Sequence, residues 1–352
     1  MEPSDGLCYT GAYLVNVTDK SYDGLKAFLT DVKAKTNKGL YLMGFYTRYG
    51  TAFPIEMLRD FDRLYQEGLL GGIYMAWHPE NPKGSTATIN EIVNGEFDAY
   101  IRDCVSKFKE LSAPLFVKWG AEPNGDWHGY GYDPNLYQQG WRRTHEIFEE
   151  EGLSAQWVFH VNQQPRGSYP QFYSNRSPWK DYYPGDEYVD WISVSWHAAL
   201  IYGRYRDGQT IDFIFDEGEY LSFAEEHNKP FMFGECGNDK YHSELYNVPL
   251  QWQVYHVVQQ FDFMKRYDRV KAFVWYDLPY TFSMPDVFQA YYNGVSDAKF
   301  IDIVEPSVEP PPPPPPPPLP EPPPSPPPEE AKPNWTPLII LALLAIASKG
   351  GK

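Results

Sequence analysis

The chain has 352 residues, 42% of them hydrophobic and 17% aromatic, and 47 acidic against 30 basic side chains leave it with a formal charge of -17. That length suits one large domain or two ordinary ones, and the apolar share can fill a sizeable core. So acidic a chain has nothing with which to neutralise a run of phosphates, which excludes nucleic acid as a partner.

Cys8, Cys104 and Cys236 are odd in number and show no metal-ligand spacing, so neither a disulfide framework nor a zinc site is expected. Eleven Trp and 28 Tyr suit a core-rich barrel and also surfaces that stack on sugar rings. The opening residues, MEPSDGLCYTGAYLV, carry no basic stretch and no long apolar run, so no secretory leader is expected there.

Taken in chain order, strand-like runs fall at 7–15, 39–46, 71–77, 114–120, 155–161, 191–196, 230–234 and 271–276. Most are unbroken β-branched or aromatic stretches, as parallel strands covered on both faces require. Helical patterns lie between most of them, at 21–35, 55–67, 89–111, 136–150, 211–227 and 250–266. The stretch 162–190 is rich in turn residues, and no helix is read there. Eight strands with intervening helices predict an α/β fold, a (β/α)8 TIM barrel spanning residues 1–304. A doubly wound sheet is the alternative, but no G-x-G-x-x-G follows the first strand.

Composition changes near Pro306. Residues 305–334 are mostly proline, with an unbroken run from 310 to 318, and a polyproline II spacer of roughly 80 to 90 Å is expected. Residues 335–352 predict a short apolar C-terminal helix, capped by Thr336 and entered through Pro337. From Pro337 to Lys349 it would span about 19 Å, short of a hydrocarbon core of about 30 Å. It could dip into a membrane, pack against copies of itself or dock on a protein.

Two carboxylates stand at predicted strand ends: Glu122 just past strand four in VKWGAEPNGDW, and Glu235 closing strand seven in KPFMFGECG. In a barrel of this kind the site is built where strands end and βα loops begin. Two such glutamates are what glycoside hydrolysis needs, one to protonate the leaving oxygen and one to attack the anomeric carbon or activate water. Their environments must hold their pKa values apart.

At these residues the chain resembles glycoside hydrolase family 26. AEPNGDW is similar to that family's strand-four motif, GDEYVDWISVSW to its strand-six segment, FGECG to its nucleophile motif and WHPENP to its pattern after strand three. The resemblance covers roughly residues 7 to 300. It implies a retaining β-glycanase, mostly acting on β-1,4-mannan, with β-1,4 or mixed-linkage glucan as the alternative. Glu122 would be the acid/base and Glu235 the nucleophile, their carboxyl groups about 5 to 5.5 Å apart.

The resemblance further implies that His78 and Trp127 line the sugar sites and that Asn124 supports the acid loop. Trp77, Trp196, His197, Trp275 and Tyr276 are the other expected substrate contacts. Trp119 could face the barrel or the helices. Two positions depart from the family: Ala121 stands where a His is usual, and His197 where a Tyr usually meets the nucleophile. A glycan-binding protein without catalysis is the reading from another class. Two carboxylates suffice for the chemistry, so no cofactor or metal is expected; the partner is a polysaccharide and the expected setting extracellular or surface-displayed.

Overall fold

The computed structural model describes residues 1–80, 85–163, 177–197 and 219–303. The proline-rich stretch and the apolar tail lie outside the described residues.

Eight parallel strands close into a barrel in sequence order: β1 Gly11–Tyr13, β2 Leu42–Arg48, β3 Gly72–His78, β4 Leu115–Trp119, β5 Gln156–Val161, β6 Trp191–His197, β7 Phe231–Gly237 and β8 Val270–Trp275. Closure rests on one pair in register, Ala12 with Trp275. The expected barrel is therefore the observed one. The first strand is shorter than its apolar run, because Cys8 and Tyr9 make only isolated bridges, to Phe300 and Ala272.

Side chains divide by strand period. Tyr74, Ala76, Phe116, Val158, Trp191, Met232, Ala272 and Val274 fill the barrel. Their neighbours Ile73, Met75, Val117, Phe159, Ile192 and Phe273 pack outward against the helices. Both faces are apolar, so the strands read as continuous runs.

The helices follow local signals. In α1 (Tyr22–Thr36) the Ser21 side chain accepts from the Gly24 amide, and Asn37 ends the helix in the left-handed region. The pattern over 55–67 is α2 (Ile55–Gln66), and the pattern read as one helix over 89–111 is two, α3 (Ser85–Val93) and α4 (Asp98–Phe108). Gly95, at φ 84°, turns the chain between them, a conformation glycine adopts without steric cost.

Next come α5 (Pro134–Glu150), capped by Asp133, and α6 (Tyr220–Glu226), the described part of the pattern over 211–227. Then follow α7 (Lys240–Leu245), α8 (Leu250–Arg266), α9 (Leu278–Ser283) and α10 (Pro285–Val295). In the described part of the turn-rich stretch 162–190, two short 3-10 turns form at Trp179–Tyr182 and Asp186–Tyr188. Among the described residues no helix is long and apolar enough to cross a membrane.

Candidate active site

Strict alternation along β7 would send Glu235 outward with Phe231 and Phe233. The register of β7 shifts against both neighbours, between Ser193 and Ser195 on β6 and between Phe233 and Cys236 toward β8. Such a bulge re-aims one side chain, and Glu235 points into the bowl. Gly234 makes the bend possible: a Cβ there would lie 2.2 Å from Ser193 Oγ and 2.3 Å from the Tyr74 hydroxyl.

Three side chains from three strands hold Glu235. Tyr46 of β2 donates to Oε2 at 2.7 Å, Lys118 of β4 donates to Oε2 at 2.8 Å, and His197 of β6 lies 3.0 Å from Oε1 through Nε2. Burial works to raise the carboxyl's pKa. The Lys118 ammonium and His197 outweigh it, so Glu235 stands well below the usual carboxylate range. His197 thus reaches Glu235 from the end of strand six, and Tyr46 adds a phenol from strand two.

Glu122 sits three residues beyond β4 with φ 56°, a left-handed conformation that is uncommon for a residue with a Cβ. Its amide donates to the His160 carbonyl at 2.8 Å, and its carbonyl accepts from Gly125 at 3.0 Å. The carboxylate takes donors from Asn162 Nδ2 at 2.8 Å and the Ser195 hydroxyl on Oε1, and from Trp127 Nε1 at 2.9 Å on Oε2. All three donors are uncharged.

Behind Glu122 runs a buried chain whose proton positions can be assigned by elimination. The Ser193 hydroxyl oxygen accepts from the Gly234 amide at 3.0 Å and faces His160 Nδ1 at 2.7 Å; Ser195 Oγ lies 2.8 Å from His160 Nε2. Ser195 donates to Glu122, so it accepts from Nε2–H, and Ser193 donates to the bare Nδ1. Burial, then Lys118, holds His160 well below the usual imidazole range, so the ring is the neutral Nε2–H tautomer.

Of the expected sugar contacts, His78, Trp127, His197 and Tyr276 meet at the bowl. His78 ends β3 with Nδ1 3.0 Å from the Tyr130 hydroxyl, which itself donates to the Ala121 carbonyl. The ring therefore donates through Nδ1 and keeps Nε2 as an acceptor; burial, reinforced by His128 and Lys118, keeps it neutral. Trp127 is 39% exposed and directs its N–H to Glu122. Tyr276 is half-buried and meets the His197 ring edge-on at 5.0 Å. Asn124 is wholly buried and clasps the Asn162 backbone, donating to its carbonyl at 2.8 Å and accepting from its amide at 2.9 Å.

Trp77, Trp196 and Trp275 are corrections. Each is fully buried in the layer between barrel and helices. Trp77 packs on Tyr49 at 4.6 Å, Trp196 lies 6.2 Å from His256, and Trp275 Nε1 donates to Thr281 Oγ1 at 2.9 Å. Each sits one residue before an inward side chain (His78, His197, Tyr276), so the strand period turns it away. Trp119 faces outward too, its indole N–H donating to the Tyr49 hydroxyl at 3.0 Å.

Residues not anticipated are Tyr46, Lys118, His160, Asn162, Ser195 and Asp239. A signal existed for some. A lysine inside the apolar run LFVKW, and polar residues at every second place in WISVSWH, mark inward positions that open on something polar. Among the described residues no group of three or more His, Cys, Asp or Glu could hold a metal ion.

No family model matches the sequence. Endoglucanase H of Acetivibrio thermocellus is 26% identical over 227 residues, 61% of this chain and 22% of that protein. A β-1,3-xylanase of an Alcaligenes species is 26% identical over 160 residues, 44% of this chain and 29% of that one. The chain thus spans less than a third of the curated relatives' length. Among solved structures, a glycoside hydrolase family 26 endo-β-1,4-mannanase of Cellulomonas fimi superposes with a TM-score of 0.61 at 18% identity, over 86% of this chain and 73% of that one. The resemblance carried by the motifs is met in the fold.

Proposed function

We propose that the chain, which resembles glycoside hydrolase family 26 in its motifs and its fold, is a retaining endo-β-glycanase. The observation that carries this reading is the asymmetry of the two glutamates. Glu235 is held anionic by Lys118 and His197, as a nucleophile must be. Among the described residues the hydrogen bonds to Glu122 come from neutral donors, which suits the group that hands a proton to the leaving oxygen and takes one from water.

In the first step a Glu235 oxygen attacks the anomeric carbon while Glu122 protonates the departing glycosidic oxygen. In the second, Glu122 takes a proton from water, whose oxygen attacks the same carbon, and the bonding pair returns to Glu235. His78 Nε2 would accept from a sugar hydroxyl, and Trp127 and Tyr276 would offer faces to pyranose rings.

The first polymer to test is a β-1,4-mannan, because the aligned solved structure is an endo-β-1,4-mannanase. The curated relatives are named as an endoglucanase and a β-1,3-xylanase, which favours β-glucan and β-1,3-xylan as the second set. Release of reducing ends from these polymers, with Glu235→Gln as control, tests the reading. Release that vanishes in the variant supports it. Silence on every polymer, with binding retained in affinity electrophoresis, would turn it toward a glycan-binding protein. The stalk and tail are proposed to hold the barrel off a membrane or partner; removal of residues 335–352 should abolish that association without touching turnover.

A further inference from the structure

One imidazole in the bowl has a carboxylate on each side. His197 Nε2 lies 3.0 Å from Glu235 Oε1, and its Nδ1 lies 3.7 Å from Asp239 Oδ2; the two side chains are 4% and 1% exposed. Asp239 is the residue before α7, and its other oxygen is engaged, accepting the His242 amide at 2.8 Å and facing His242 Nδ1 at 2.9 Å. Among the described residues, neither His197 Nδ1 nor Asp239 Oδ2 has a hydrogen-bond partner. Two buried orphaned polar atoms that face each other are costly unless they pair, and a shift of under an ångström would pair them.

Proton accounting decides the state of the ring. An ionised carboxylate only accepts, and a neutral imidazole has one donor. A neutral His197 would therefore aim a lone pair at one of its two anions. Only the doubly protonated ring satisfies both.

We infer that Asp239 is a positioning residue that keeps His197 as an imidazolium against Glu235 throughout the catalytic cycle. The inference rests on Glu235 being the nucleophile. When the glycosyl ester forms, Glu235 loses its charge and its hold on the ring weakens. Asp239 stays anionic and retains the proton. In the second step, as water attacks and the electron pair returns to Glu235, the imidazolium stabilises the departing carboxylate.

The surroundings of the ring agree. Burial lowers an imidazole's pKa, but Glu235 on β7, Asp239 beyond it and Glu122 past β4 reverse this, and His197 stands above its usual value. Among the described residues the other titratable neighbours are His242 on α7, with ring centres 6.1 Å apart, Tyr276 past β8 at 5.0 Å, and Lys118 and His160 across the bowl. Lys118 is committed to the other oxygen of Glu235.

The test is ring-nitrogen NMR of histidine-labelled full chain across about pH 5 to 9, with wild type and Asp239→Asn. Wild-type His197 should carry two protonated nitrogens at neutral pH. In Asp239→Asn its midpoint should fall by at least about one unit, the alkaline limb of kcat/KM should fall with it, and activated aryl glycosides should show a burst from accumulated ester. Asn keeps the cap of α7, so the variant should fold; Asp239→Glu should restore part of the midpoint. A neutral His197 in the wild type at pH 7 overturns the inference without any variant, as does an unmoved midpoint in Asp239→Asn. The NMR readout needs no substrate, so its outcome is separate from the fate of the glycanase reading.

Discussion

Lys118 Nζ lies 2.8 Å from Glu235 Oε2, on a side chain with no exposed surface. The ammonium also sits over the rings of Tyr13, Tyr46 and Tyr74, 5.0, 5.4 and 5.7 Å from their centres. A buried cation held by ring faces and one carboxylate has no solvent to replace that partner. The pair therefore sets the charge at the centre of the bowl.

Lys118→Met should move the acid limb of activity upward. Glu235 is held well below the usual carboxylate range, so its ionised form stabilises the fold above about pH 4.3 and that contribution drains away as pH falls through the depressed value. Without Lys118 the value rises, and the acid limbs of kcat/KM and of melting temperature should both shift up by at least about one unit. Removal of one partner of a buried pair should also cost about 3 kcal/mol at neutral pH. Unshifted limbs in pH-rate and pH-melting profiles would refute the assignment.

Glu122→Ala should discriminate between leaving groups. Substrates with poor leaving groups need protonation and should lose about 100-fold or more, while activated aryl glycosides should lose far less in the first step. Equal losses across a leaving-group series would remove Glu122 from the acid role.

Ser195→Ala cuts the chain that ties Glu122 to β5 and β7. It deletes a donor to Glu122 and leaves the His160 Nε2–H without its acceptor. A buried donor left unsatisfied should cost about 1 to 3 kcal/mol, read by denaturant titration. The same variant should depress kcat on polymer about tenfold. A stable variant with full kcat would show that the chain is incidental.

Two tryptophans should separate stability from function. Trp275→Ala empties a site in the outer core and should destabilise by about 3 to 5 kcal/mol with KM unchanged while the fold persists. Trp127→Phe keeps a ring at the mouth but loses the N–H that reaches Glu122; the unfolding free energy should change by no more than about 0.5 kcal/mol while kcat falls. The reverse pattern would return Trp275 to the sugar site.

The barrel was legible because eight β-branched and aromatic runs, covered on both faces, have few alternative arrangements. The position of Glu122 just past a strand was legible because AEPNGDW joins a strand end to turn residues. Trp77, Trp196 and Trp275 were misread because each adjoins an inward residue, and a continuous apolar strand carries no mark of which alternate faces in. The broken helix at Gly95 was missed because an isolated glycine is tolerated within a helical pattern, and apolar residues continue on its far side.

Read along the chain, the eight strands and the two glutamates at strand ends follow from residue type and spacing, because burial on two faces and turn chemistry are local properties. The charge states in the bowl do not. They depend on Tyr46, Lys118 and His197 arriving from β2, β4 and β6 around one carboxylate, and on a bulge in β7 that turns Glu235 inward against its strand's alternation. Electrostatics falls off with distance in space rather than along the sequence, so closure of the barrel decided which glutamate sits against a buried cation and which imidazole lies between two carboxylates.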